Sequence, residues 1–220
     1  MSNVKRESDN SIETINHRIE KEFDEKVFDQ LSDVNLIDQY KDCKSVKKKV
    51  KILSSILEEE NIEDDIKNNI INKFLLNLIP PGTKAAVRGN NFNKIIKEKI
   101  KQFKLDKNKY ELKFEENCDK VYTSEIPDWY ILEISTNKVI IGMNQVDLWS
   151  GGAQINRGFK YLINSEINNE NTKLLCVVCN KKKIKNENNK VFKIFKTGFE
   201  KDTLCYVKNL ENIIKSFFEN

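Results

Sequence analysis

At Pro80-Pro81-Gly82 this chain of 220 residues changes its hydrophobic period. Before that point apolar residues recur every three or four positions. They are Ile12, Ile15, Ile19, Phe23, Val27, Phe28 and Leu31 over 11–32, then Val46, Val50, Ile52, Leu53, Ile56 and Leu57 over 45–59. A third set, Ile66, Ile70, Ile71, Phe74, Leu75 and Leu78, spans 62–78. This spacing predicts amphipathic helices. Two prolines and a glycine in succession punctuate the pattern, so we expect an α-helical N-terminal region over 1–80 and a second domain over 81–220. After the break, one helix is expected at 90–103, with Phe92, Ile95, Ile96, Ile100 and Phe103 on one side. Short apolar runs then predict strands at 110–114, 129–135, 138–143, 173–179, 191–195 and 204–207. Helices are expected at 152–163 and 209–218. This order predicts an α/β domain, a mixed sheet flanked by helices.

Composition removes several classes of function. Hydrophobic residues make up 39% and charged residues 33% of the chain, and no apolar run reaches the roughly 18 residues a membrane span needs. The start, MSNVKRESDNSIE, lacks the apolar core of a secretory signal. An intracellular protein, in cytoplasm or nucleus, not secreted and without a membrane partner, is expected. His17 is the single histidine, so Ser-His-Asp, Cys-His and His-rich metal chemistry would all have to rest on it. The five cysteines are scattered, and Cys176-Val177-Val178-Cys179 is half a zinc site without its second half, set in a run that reads as a buried strand. Hydrolytic chemistry would therefore draw on carboxylates, amides, lysine and a divalent metal. Residues 1–80 carry net charge −4 and residues 81–220 net charge +8, which makes the second part the one suited to a polyanion. Lysine supplies 34 of the 38 basic residues, so a lysine says little by itself and an arginine says more. Arg88 and Arg157 are the only arginines after residue 18.

Within the informative stretch 123–161, the residue types that this chain otherwise uses sparingly gather between 142 and 161. Asp128 follows Pro127 at the mouth of a strand, and Thr136-Asn137 is the expected turn of a hairpin. The return strand ends at Asn144, Gln145 and Asp147, so an acid on one strand lies beside polar groups on its neighbour, an arrangement able to hold a divalent cation. Asp147 would alternatively cap the turn that leads to Trp149, and Trp149 would either pack or stack on a base. Gly151-Gly152 opens the next helix, whose amides suit a phosphate. Gln154, Arg157, Lys160 and Tyr161 share one side of it, suited to a nucleic-acid backbone or base edge. Arg88, before Gly89, would contact phosphate or cap a neighbouring helix. The run from Lys181 to Lys185 reads first as a solvated turn.

Pro127-Asp128, the hairpin, the strand KVIIGMNQ and the helix with Gln154 and Arg157 together resemble the PD-(D/E)xK, or restriction-endonuclease-like, nuclease superfamily over about residues 85–220. The resemblance implies a restriction-endonuclease-like mixed sheet and a Mg²⁺- or Mn²⁺-dependent DNA endonuclease. Asp128 would then ligate the metal, with Asn144 or Gln145 in the place of the lysine that orients water. Glu133, Asp147 or Asn93 would complete the metal environment, Asn93 standing where the family often has a glutamate. Arg88, Trp149, Gln154, Arg157 and Lys160 would meet DNA. Where (D/E)-x-K is expected the chain has Gly142-Met143-Asn144 or Met143-Asn144-Gln145, neither with the acid. The alternative is a catalytically degenerate, DNA-binding or interaction protein on the same fold. The N-terminal helices are expected to mediate homodimerisation.

Overall fold

The computed structural model describes residues 11–147, 152–163, 166–181 and 183–219, with the side chains of Ala153 and Gln154 excepted. The elements run α1 (Ile12–Glu22), α2 (Glu25–Gln30), α3 (Ile37–Asp42), α4 (Lys44–Glu59), α5 (Asp64–Leu78), α6 (Pro81–Gln102), β1 (Tyr110–Phe114), β2 (Trp129–Glu133) and β3 (Val139–Gln145). They continue with α7 (Gly152–Gly158), a π-helical turn (Phe159–Ile163), β4 (Thr172–Val178), α8 (Lys190–Glu200), β5 (Leu204–Tyr206), a 3₁₀ turn (Val207–Asn209) and α9 (Leu210–Glu219). No helix among the described residues is long and apolar enough to cross a membrane.

Contacts divide the chain into two compact units, one of residues 1–24 with 96–220 and one of residues 25–95. The expected boundary between 80 and 81 falls inside the second unit. Pro81 does not stop helical structure. It is the first residue of α6, where its fixed φ suits a helix and its missing N–H costs nothing. The helix expected from residue 90 therefore begins nine residues earlier. The N-terminal segment divides too. Phe23 adopts φ −58° and ψ 135°, which ends α1, and α2 starts afresh at Glu25. In the unit of residues 25–95, Leu36, Tyr40, Val46, Leu57, Ile71, Leu75 and Ile79 form the core. Tyr40 donates from its hydroxyl to Asp33, which also receives the Lys84 ammonium at 2.8 Å. Burial opposes the charge on Asp33, and these two donors outweigh it and lower its pKa.

The other unit is a mixed α/β layer structure around one five-stranded sheet in the order β1-β2-β3-β4-β5. β1, β2 and β3 are antiparallel neighbours, and β4 and β5 run parallel to β3. The β2–β3 turn forms where expected: Asn137 takes φ 58°, a left-handed conformation asparagine tolerates, and its N–H donates to the Glu133 carbonyl at 3.0 Å. Residues directly opposite one another share a sheet face. The register Trp129↔Gly142 thus places Trp129, Ile131, Ile140, Gly142 and Asn144 on one face. The end of α6 and α9 cover that side, where Lys97 lies over the Phe114 ring at 4.9 Å and Phe218 meets Tyr110 at 5.0 Å. Asp128, Met143, Gln145, Cys176 and Leu204 fall on the opposite face. The π-helical turn and α8 lie against it, with the backbone of Gly198 so near Leu204 that a Cβ there would stand 2.5 Å from the Leu204 Cβ.

The segment 191–195, expected as a strand, is the first half of α8. Its side-chain cap is Asn189, whose Oδ1 accepts the Val191 N–H at 2.9 Å. Val191, Phe192, Ile194, Phe195 and Phe199 are buried at helical spacing. Five residues are too few to separate a period of about 2 from one of about 3.6. Five strands remain among the described residues, with a helix between each parallel pair.

Candidate active site

Asp128 prolongs the β2 ladder by one residue. Its N–H donates to the Gly142 carbonyl and its carbonyl accepts from Glu115, both at 3.1 Å. Its carboxylate bends back onto β3, where Oδ2 accepts the Asn144 N–H at 2.6 Å. A charge-assisted bond of that length fixes the carboxylate at the carboxyl end of β3, beside the crossover to α7. Asp128 is half-buried.

The two registers left open in sequence are separated by Trp129. A Cβ built on Gly142 would stand 1.9 Å from the Trp129 Cε2, so the indole occupies the space a side chain there would need. The same indole donates from Nε1 to the Asn144 Oδ1 at 3.1 Å. Gly142 and Asn144 therefore belong to the Trp129 face, and the Asn144 amide is turned away from the Asp128 carboxylate. The Asn144 backbone N–H is what bonds the Asp128 carboxylate at 2.6 Å. The residues that share a face with Asp128 are Met143 and Gln145, both buried at 5% and 8% exposure. Of the two stretches expected in place of (D/E)-x-K, Met143-Asn144-Gln145 has its first and third residues on the Asp128 face, and neither is an acid. Cys176, opposite Met143 on β4, forms the floor. Burial, with the Asp128 charge adding to it, pushes its thiol up to about 12, so it stays protonated and inert.

Glu133 is buried at the other end of β2, four residues along the strand from Trp129, so the strand separates it from Asp128. Thr136 donates to it and Lys109 lies at 3.2 Å, and these hold its carboxyl below the usual range against a smaller effect of burial. It closes the hairpin turn. Asn93 and Arg88 lie on α6 within the unit of residues 25–95, both half-buried, and the buried Arg88 Nε has no hydrogen-bond partner. Asp147 is half-buried just past β3. Trp149, Gly151 and Lys182 lie outside the described residues, as does the side chain of Gln154.

Arg157 and Lys160 converge on a residue that sequence reading did not select. Glu125, half-buried and three residues before Asp128, accepts from the Tyr161 hydroxyl. Its other oxygen meets the Lys160 ammonium at 3.1 Å, and the Arg157 Nε lies at 3.8 Å. The Tyr161 bond above all, then Lys160 and Arg157, hold its carboxyl below the usual carboxylate range although burial works against them. Burial and the bond to Glu125 raise the Tyr161 pKa. The contacts span 35 and 36 positions, which no local spacing reveals. Next to this cluster is a cavity of about 310 Å³, bordered by Tyr122, Thr123, Met143, Lys160, Tyr161 and Leu174. It opens on the Asp128 face of the sheet.

Among the described residues no group of three histidine, cysteine, aspartate or glutamate side chains is gathered as a metal cage. No protein-family model, curated protein or solved structure matches the chain.

Proposed function

We propose that this chain is a metal-dependent DNA endonuclease of restriction-endonuclease-like architecture. The observation that carries the reading is the placing of Asp128. Its carboxylate stands at the head of the middle antiparallel strand, tied to the β3 main chain and sharing a face with Gln145. The order of three antiparallel strands, a crossover helix and a parallel strand supports it as well.

Mg²⁺ needs only one or two protein carboxylates, because waters and substrate phosphate oxygens complete its shell. The Asp128 carboxylate and the Gln145 amide oxygen are hard donors of that kind, and the Met143 thioether is not. Such an ion would supply a water of lowered pKa and charge for the phosphorane-like transition state. The chain's own residues do the rest. The Asn144 N–H keeps Asp128 in one orientation. The Gln145 amide holds a water by hydrogen bonds. Arg157 and Lys160, exposed on the same side, meet phosphate oxygens, and they exchange their contacts with Glu125 for these.

A plasmid nicking and linearisation assay with Mg²⁺ or Mn²⁺ tests this. Wild type is expected to cut and Asp128→Ala to lose cutting by about 10³-fold or more. A folded wild type that cuts neither duplex nor single-stranded DNA would sink the reading. One observation favours a second reading, a non-cleaving DNA-binding protein. It is Met143, buried where the second acid would stand. Metal-independent DNA binding without cleavage would establish that reading.

A further inference from the structure

The α4 helix bears an exposed face whose chemistry is its own complement. Ile52 and Ile56 are 53% and 51% exposed, while the residues beside them, Leu53 and Leu57, pack into the core of their unit. Three and four residues before Ile52 stand Lys49 and Lys48. Three and four residues after Ile56 stand Glu59 and Glu60, and all four are exposed. Residues at these spacings lie on one side of a helix, so the face reads Lys48, Lys49, Ile52, Ile56 and Glu59, with Glu60 at the C-cap that follows.

The charge order opposes what the helix itself favours. The first turn of α4 contains no acid and the last no base, whereas the macrodipole favours acids at the start and bases at the end. A partner helix of the same sequence would account for the reversal. Two copies of α4 set antiparallel about a two-fold axis at Ser54 bring Ile52 against Ile56, Lys49 against Glu59 and Lys48 against Glu60, each contact occurring twice. A parallel pairing would set lysine against lysine and glutamate against glutamate. Lys49 also donates to the Leu78 carbonyl at 3.3 Å, and its ammonium has further N–H groups to offer. Apolar exposure is concentrated in the same unit: Val34, Ile52, Ile56, Ile66, Phe74 and Leu78 are six of the nine exposed large hydrophobic side chains among the described residues.

We propose that this face of α4 docks a second copy of the chain in antiparallel register. The inference stands apart from the catalytic reading. Sedimentation velocity of the full chain across a concentration series tests it. A reversible monomer–dimer equilibrium is expected, weakening as salt is raised because the ion pairs are exposed. Ile52→Asp with Ile56→Asp is expected to weaken dimerisation by about tenfold or more. So is each double reversal, Lys48→Glu with Lys49→Glu, or Glu59→Lys with Glu60→Lys. Both lie at exposed positions, and circular dichroism checks that each variant keeps its helices. The fourfold swap carrying all four reversals is expected to dimerise again, and the two double variants mixed together are expected to pair. A wild type that stays monomeric at every concentration would overturn the proposal. So would a dimer indifferent to both reversals, which would place the contact, or a different partner, on another surface.

Discussion

Asp128 and Trp129 are neighbours in sequence, yet they stand on opposite faces of one sheet and in opposite circumstances. On the Trp129 face the indole covers the bare backbone of Gly142, and its N–H donates to the Asn144 amide oxygen. On the Asp128 face the carboxylate has one main-chain donor from β3, a thioether lies beside it, and a cavity of about 310 Å³ adjoins. The lesson is that a strand alternates not only polarity but tolerance. One face holds the hairpin in register, and the other, with an acid and a cavity, is the face on which the proposed chemistry rests.

The largest effect should come from breaking the closed face at its tightest point. Gly142→Ala places a methyl inside the indole, and the strand backbone cannot retreat, so a loss of about 3 kcal/mol or more is expected in urea unfolding. A change of the same strand one residue on tests the open face. Met143→Glu buries a carboxylate near Asp128 and is expected to cost about 2 kcal/mol at neutral pH. The new carboxyl is charged only above its raised pKa, so this loss shrinks as pH falls. If Asp128 ligates a metal, Mg²⁺ should recover part of the thermal stability of this variant and none of that lost by Gly142→Ala.

Trp129→Phe is a finer probe of the closed face. It keeps most of the packing and leaves the Asn144 Oδ1 without its donor, for about 1 kcal/mol. Smallest is Glu125→Gln, beside the open face, at about 0.5 kcal/mol after allowance for solvent screening. The Glu125 carboxyl is held below its usual range, chiefly by Tyr161, so its contribution is present above the unfolded pKa and disappears as pH falls through the folded one. The melting temperatures of wild type and variant should therefore differ at neutral pH and converge in acid. A gap that persists in acid would assign the effect to packing instead.

How much of this is legible in the sequence depends on range. The strand at 110–114 and the turn at Thr136-Asn137 follow from residues within reach of one another, and both form as read. The helix at 190–200 is misread because its apolar run is short, and what decides it is a cap at Asn189 and a neighbour at Leu204. In the candidate site, the Pro-Asp step places Asp128 at a strand mouth, and it stands there. Which residues of β3 face it depends on register, and register is set by the fit of Trp129 over Gly142, a contact across the hairpin. Glu125 is invisible for the same reason carried further, since its partners lie on the far side of two strands.

One consequence follows from the membership of α1. Its residues belong with 96–220 although residues 25–95 intervene. Asn16 exchanges two hydrogen bonds with Ile184, and the Phe23 carbonyl accepts from Lys208. During synthesis α1 would thus wait until residues 184 and 208 have emerged, because its hydrogen-bond partners lie there. A compact segment can form from residues 25–95 meanwhile. Ribosome-bound chains truncated before residue 184 should protect that inner segment from protease while α1 is still cut.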